Sequence, residues 1–152
     1  MAKVSTDGKS TEEKMALADE ISRGYFRQGL NCAECVLRTF MDMHDIDLPD
    51  DIIKIASGFG GGMGHTKNTC GAITGAVLAL GTVKGRDPFE KEEMKDRIHQ
   101  LQGEVYPTFG SMVSEIKENY GTLNCDELSN PFGDFAGKAR KKNCMEMIAY
   151  CS

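Results

Sequence analysis

The chain has 152 residues, of which 40% are hydrophobic and 27% are charged, and such a composition is typical of one soluble globular domain. Its net charge of −5 argues against a nucleic-acid partner, because the phosphate backbone binds basic surfaces. The longest apolar stretch, at residues 72–80, covers about half of the length that crosses a bilayer, so we expect no membrane insertion.

Apolar residues recur at helical spacing along most of the chain, and no stretch alternates as a strand does. Residues 1–10 are polar and are expected to be disordered. We then predict helices at residues 11–26, 32–44, 50–59, 69–83, 87–103, 109–120 and within 134–151. Asp87 and Pro88 predict the start of the fifth helix, and Pro107 is expected to separate it from the sixth. The prediction is an all-α bundle of about six or seven helices, forming a single domain over residues 11–152.

The pattern Asn-Cys-x-Glu occurs at residues 31–34, 124–127 and 143–146. Asn is a preferred N-cap and Glu three residues later completes a capping box, so each pattern predicts a cysteine at the first position of a helix. Cys70 follows two capping candidates, Asn68 and Thr69, and is expected in a first turn as well. The unpaired N–H groups there favour a thiolate, which is the nucleophile of disulfide exchange and the form that binds metal. If Asn143 lies inside the last helix, the third pattern does not predict a helix start at Cys144.

The N-terminus has no apolar core of a signal peptide, so we expect a cytoplasmic protein. Six cysteines in a reducing compartment favour redox chemistry or metal binding over a fixed disulfide framework. Cys32 and Cys35 have the spacing of a redox dithiol but lack its βαβ context. A metal site would take one sulfur from each of four elements, which suits an iron–sulfur cluster or an all-cysteine zinc site. The four sulfurs would be those of Cys32, Cys70, Cys125 and Cys144.

Glycines surround Cys70 on both sides. Gly71 is expected to leave the backbone beside Cys70 open to another sulfur or a cluster, and Gly75 to allow close helix packing. The preceding loop, GFGGGMG at residues 58–64, matches no nucleotide-binding motif. It is either a plain connection or a loop whose N–H groups, including those at Gly62 and Gly64, hold an anion or cluster sulfurs. Gly71, Gly62 and Gly64 are therefore the cofactor-binding candidates.

The same residues resemble the C-GCAxxG-C-C family of redox-active proteins. Residues 70–75, CGAITG, correspond to its central segment, with Cys before Gly where the family name has Gly before Cys. The glycine loop precedes that segment, and the other hallmark cysteines match Cys32 in LNCAECVL, Cys125 in TLNCDEL and Cys144 in KKNCMEM. The resemblance covers about residues 25–147. It implies a helical redox protein, and a similar domain in split-Soret cytochromes implies an iron–sulfur centre. Haem does not carry over, because no C-x-x-C-H site is present.

Three functions stay open. The one favoured slightly is a redox protein, either an oxidoreductase or an electron-transfer protein, whose four hallmark cysteines hold an iron–sulfur centre. The second is a thiol–disulfide redox protein without a metal, and the third is a non-catalytic binding module stabilised by zinc. A redox partner is expected but not identified, and a homodimer is a plausible assembly. Cys35 and Cys151 are interpreted as packed thiols, and His65 as a surface residue.

Overall fold

The structure, a computed structural model that describes residues 3–152, consists of helices joined by loops and short 3₁₀ segments. The α-helices are α1 Thr11–Arg27, α2 Cys32–Met43, α3 Gly71–Lys84, α4 Met94–Gln100, α5 Tyr106–Tyr120, α6 Cys125–Ser129 and α7 Lys138–Cys151. The 3₁₀ segments are Asp50–Phe59, Pro88–Glu90 and Asn130–Phe132, and Leu101–Val105 is a π-helical segment. Within residues 3–152 the β-structure is one isolated bridge, Thr69 to Asn124, so the predicted all-α bundle is confirmed.

Helix α2 lies at the centre of the bundle. Its apolar side chains are buried from end to end, and α1, α3 and α7 pack around it. Helix α3 lies so close that a Cβ added to Gly75 would stand 2.9 Å from the Cα of Ala33. The expected role of Gly75 in close packing is therefore confirmed.

Capping explains where two of the cysteine-bearing helices begin. The Asn31 side chain accepts from the N–H groups of Ala33 and Glu34, and Glu34 accepts from the N–H of Asn31, which completes the predicted capping box. Asn124 likewise accepts from the N–H of Glu127 at the start of α6. Cys32 and Cys125 are consequently the first residues of α2 and α6, as predicted.

The other two cysteines depart from that prediction. Helix α3 begins at Gly71, so Cys70 is its N-cap residue and not part of its first turn. The third Asn-Cys-x-Glu pattern lies inside α7, where the amide of Asn143 donates to the carbonyl of Leu128 and caps nothing. The prediction that Cys144 begins a helix is therefore wrong, because α7 already starts after Gly137.

The segment from Asp87 to Tyr120 also differs from its prediction. Asp87 caps only the short Pro88–Glu90 turn, and the chain is extended at Lys91 before α4 begins. Pro107 does not separate two helices, because α4 continues into α5 through the π segment. In this segment Tyr106 donates to Leu101, five residues back, and the wider turn accommodates the proline. Neither α4 nor the π segment has a buried residue.

The N-terminal segment precedes α1. Met1 and Ala2 lie outside the described residues, so the disorder expected for residues 1–10 stays a prediction. Within that segment, the N–H of Val4 donates to the carbonyl of Asp42 at 2.8 Å. Across residues 3–152, no helix combines the length and the apolar character that a membrane span requires.

Candidate functional site

The four cysteines singled out by the sequence line one small cavity inside the bundle. Its volume is about 10 Å³, roughly the room that one water molecule needs. Three of the thiols are buried, with exposed fractions of 5–8%, and Cys32 is half-buried. The residues that the structure brings together are Cys32 from α2, Cys70 before α3, Cys125 from α6 and Cys144 from α7.

Backbone hydrogen bonds join the segments that carry Cys70 and Cys125. The N–H of Cys70 donates to the carbonyl of Leu123 at 2.8 Å, and the N–H of Cys125 donates to the carbonyl of Asn68 at 2.6 Å. These bonds flank the bridge between Thr69 and Asn124. Two helix starts far apart in sequence are thereby fixed side by side.

The glycine-rich loop lies directly against the cysteines. Residues 61–65 all have φ between +62° and +74°, so five successive residues are left-handed. A Cβ added to Gly62 would stand 2.8 Å from the Cβ of Cys125, and one added to Gly71 would stand 3.1 Å from the Cβ of Cys32. Gly64 has open space around it, and only its positive φ favours glycine there. Gly62 and Gly71 therefore lie against two of the cysteines, whereas a Cβ at Gly64 would meet none of them.

Cys32 and Cys144 line the same cavity, and each changes the pKa of the other. The thiol of Cys144 donates to the sulfur of Cys32, and this bond is the main reason that the pKa of Cys32 falls to about 7 despite burial. The nearby charge of Arg140 and the N–H of Gly61 lower the pKa of Cys32 further. The same hydrogen bond, with burial, raises the pKa of Cys144 far above its ordinary value. The pair therefore shares one proton, with the negative charge on Cys32.

The remaining perturbed thiols keep their protons at neutral pH. Burial, with the negative charge of Cys32 as a lesser cause, raises the pKa of Cys70 to about 11. Burial also raises the pKa of Cys35 to about 12 and that of Cys151 to about 12. Cys35 is fully buried in the core, which agrees with its interpretation as a packed thiol. Of the Cys32–Cys35 pair, only Cys32 reaches the cavity.

Arg140 is the residue of this site that the sequence did not single out by itself. It is only 8% exposed, stacks on Phe135 with 3.8 Å from its guanidinium carbon to the ring centroid, and lies 4.0 Å from the sulfur of Cys125. Its Nε has no hydrogen-bond partner, and no carboxylate of residues 3–152 pairs with it. Arg140 belongs to a run of basic residues, Lys138, Arg140, Lys141 and Lys142. Its own charge is buried and acts on Cys144, whereas Lys141 and Lys142 are exposed to solvent.

Cys32 also borders an open pocket on the protein surface, which we call the outer pocket. Its volume is about 400 Å³, and its lining residues are Phe26, Asn31, Cys32, Ser57, Gly60, Gly61, Gly64, His65 and Arg140. His65 is exposed, as expected, and its ring lies edge-on to Phe135 at 5.0 Å. Cys32 and Arg140 line both the outer pocket and the inner cavity. A molecule in the outer pocket can therefore reach Cys32, with Cys144 behind it.

The donor chemistry of four thiols suits an iron–sulfur or zinc centre. Their arrangement fits such a group less well. In the part of the chain that the structure describes, no three Cys, His, Asp or Glu side chains are grouped closely enough to hold a metal ion. The cavity is also small for a cluster. The metal centre therefore stays a prediction that requires the sulfurs to rearrange.

Comparisons with known proteins agree with the family resemblance seen in the sequence. The family model described as "Putative redox-active protein (C_GCAxxG_C_C)" matches residues 30–152. An uncharacterised protein of Archaeoglobus fulgidus is 24% identical over 119 residues, which cover 78% of each chain. No solved structure matches the chain.

Proposed function

Because the chain belongs to the C_GCAxxG_C_C family of redox-active proteins, we propose that it is a thiol–disulfide redox protein whose working dithiol is Cys32 and Cys144. The observation that carries the proposal is that Cys32 and Cys144 line the same small cavity, with Cys32 also at the outer pocket. The lowered pKa of Cys32, to about 7 and chiefly through Cys144, supports it. A reactive pair needs one accessible thiolate and a second thiol close enough to resolve the mixed disulfide. Cys32 lies at the outer pocket, and Cys144 lines the inner cavity with it.

The exchange proceeds in two steps that conserve atoms and electrons. The Cys32 thiolate attacks one sulfur of a substrate disulfide, the substrate S–S bond breaks, and the leaving thiolate takes up a proton. Cys144 then loses its proton and attacks the Cys32 sulfur, which releases the second substrate thiol. Two protein thiols are oxidised to one disulfide, and the substrate disulfide is reduced to two thiols. The reverse sequence oxidises a substrate dithiol.

The surroundings of the pair assign its two roles. Arg140 and the N–H of Gly61 stabilise negative charge on Cys32, so this residue is the attacking nucleophile. Cys144 holds its proton while Cys32 is ionised, because two adjacent thiolates repel each other. Once Cys32 is in a mixed disulfide its charge is gone. Arg140 then favours ionisation of Cys144, the residue that attacks next.

The proposal is tested by equilibrating the full-length protein in thiol–disulfide buffers and mapping disulfides by peptide mass spectrometry. We expect a Cys32–Cys144 disulfide that forms reversibly and that is absent from Cys32→Ser and Cys144→Ser variants. Cys151→Ser is the matched control, because Cys151 does not line the inner cavity. A protein whose Cys32 and Cys144 stay reduced across the whole buffer series would refute the proposal.

A metal centre is the second candidate, favoured by the observation that four cysteines line one cavity. Anaerobic purification, an absorption spectrum, metal analysis and a free-thiol count on one sample distinguish the candidates. Charge-transfer bands with iron, acid-labile sulfide and four protected thiols would support the iron–sulfur centre. Stoichiometric zinc without a redox response would support the binding module. A colourless, metal-free protein that gains and loses two thiols would support the dithiol.

A further inference from the structure

Arg140 carries a buried positive charge, and no carboxylate of the described residues, 3–152, pairs with it. Burial of an unpaired charge is costly, so a buried guanidinium normally lies beside a matching anion. Here the negative charge of Cys32 is the nearby compensation, and it lies on a single sulfur. The Nε of Arg140 remains without any hydrogen-bond partner. The positive charge of Arg140 therefore lacks a full counter-charge, and Arg140 lines the outer pocket, where an anion could supply one.

The outer pocket, which Arg140 lines, is positive in a protein of net charge −5. None of its lining residues is acidic. The carboxylate of Glu34 contacts two of the lining residues, and it accepts hydrogen bonds from the N–H of Asn31 and the hydroxyl of Ser57. The left-handed loop forms one wall; its N–H groups at Met63, Gly64 and His65 donate to carbonyls within the loop, and the N–H of Gly61 donates to the sulfur of Cys32. The pocket volume of about 400 Å³ lies within the range of small-molecule sites.

From these observations we infer that the outer pocket binds a small anionic disulfide, whose carboxylate contacts Arg140 while one of its sulfurs lies at Cys32. The disulfide part of this inference rests on the proposed function, and the anion-binding part does not. The carboxylate also balances the positive charge of Arg140 during the reaction. When Cys32 enters the mixed disulfide, its negative charge leaves with the substrate thiolate, and the carboxylate becomes the counter-ion of the guanidinium.

The anion site is tested first by alkylation, which requires no disulfide chemistry. Iodoacetate and iodoacetamide are nearly the same size and differ by one charge. The rate of each at Cys32 is followed by peptide mass spectrometry at constant ionic strength, and their ratio is compared between variants. Any change in the ionisation of Cys32 affects both rates equally, so the ratio isolates recognition of the carboxylate.

We expect Arg140→Met to lower the iodoacetate-to-iodoacetamide ratio about tenfold, as loss of one charge-assisted hydrogen bond does. Arg140→Lys should lower the ratio less, because it keeps the charge and loses the planar fork. Lys141→Met is the matched control: it removes one positive charge from an exposed neighbour outside the pocket and should leave the ratio within about twofold. An equal ratio in wild type and a folded Arg140→Met protein would overturn the inference.

The disulfide class is tested on the wild-type protein with three probes of similar length. They are 3,3′-dithiodipropionate, 2-hydroxyethyl disulfide and cystamine, which are anionic, neutral and cationic. We expect the anionic probe to oxidise the dithiol fastest and the cationic probe slowest, and Arg140→Met to abolish this order. Equal rates for all three would overturn the inference and leave the proposed function standing. If no probe yields the Cys32–Cys144 disulfide, the proposed function fails, and an Arg140-dependent alkylation ratio would then support an anion of another class.

Discussion

The contact between the glycine loop and Cys125 leads to a sharp prediction for Gly62→Ala. The added Cβ would lie 2.6 Å from the backbone nitrogen of Asn68 and 2.8 Å from the Cβ of Cys125. The first of these neighbours is backbone and cannot rotate away. A residue with a Cβ also resists the left-handed conformation that Gly62 adopts at φ +74°. We therefore expect both steric overlap and backbone strain.

Gly64→Ala separates these two effects. Gly64 has nearly the same left-handed φ, +62°, but a Cβ there meets nothing within 4 Å. The left-handed conformation costs about 1–2 kcal/mol per residue for an L-amino acid, and this cost applies to both variants. Overpacking adds about 1–3 kcal/mol, and it applies only to Gly62→Ala. The difference in the free energy of unfolding between the variants should therefore be about 1–3 kcal/mol.

The measurement is unfolding followed by circular dichroism, in urea and on heating, with the reduced protein. For a chain of this length, about 1 kcal/mol corresponds to roughly 2–4 °C in Tm, so the two variants should differ by about 2–12 °C. Equal Tm values for Gly62→Ala and Gly64→Ala would refute the argument, since strain alone would then account for both. A Gly62→Ala protein that is as stable as wild type would show that the loop does not approach Cys125 as described.

Three further predictions concern the sulfurs, the core and the helix caps. In wild type, the alkylation rate of Cys32 should rise with pH and reach half of its maximum near pH 7, because only the thiolate reacts. Cys144→Ala should raise the pH of this midpoint, because it removes the hydrogen-bond donor to Cys32. The control variant Cys151→Ala should leave the midpoint unchanged. Gly75→Ala should lower the free energy of unfolding in urea by about 1–3 kcal/mol, because the new Cβ would overlap Ala33. Gly81→Ala lies in the same helix with open space around it, and it should raise the free energy of unfolding by about 0.5–1 kcal/mol. Asn31→Ala should lower the free energy of unfolding by about 0.5–2 kcal/mol, the usual loss for a removed helix cap. The loss should exceed that of Asn124→Ala, because Asn31 accepts two backbone hydrogen bonds and Asn124 accepts one. Equal losses in the two variants would contradict this reasoning.

The Asn-Cys-x-Glu pattern predicts two helix starts correctly and a third one wrongly. Asn-Cys-x-Glu correctly predicts helix starts at Cys32 and Cys125, because capping is a local interaction among four residues. At Asn143 the same four residues lie inside a helix that had already begun. Local chemistry alone does not reveal that start, because Gly137 caps α7 with no side chain. The position of Pro107 escaped prediction for a similar reason: the π segment that accommodates it has no sequence signature of its own.

The candidate site was predictable as a set of residues but not as an arrangement. The four cysteines follow from helix-start patterns and from the family resemblance, and the structure places them around one cavity. Which two sulfurs share a proton depends on distances between α2 and α7, which spacing in the sequence does not encode. Arg140 is hidden for the same reason. It lies in a run of basic residues, and only its burial distinguishes it from Lys141 and Lys142.

Helix α4 and the π segment, together called the arm, have no buried residue, and this affects how the molecule fluctuates and how its sequence can change. With no buried side chain in α4 or in the π segment, unfolding of this arm exposes little new apolar surface. The segments that carry the four sulfurs are fixed to one another through α2, α3, α6 and α7. The arm can therefore open and close many times while the thiols keep their positions. Substitutions in α4 and the π segment are therefore expected to leave the reactivity of the Cys32 thiol unchanged.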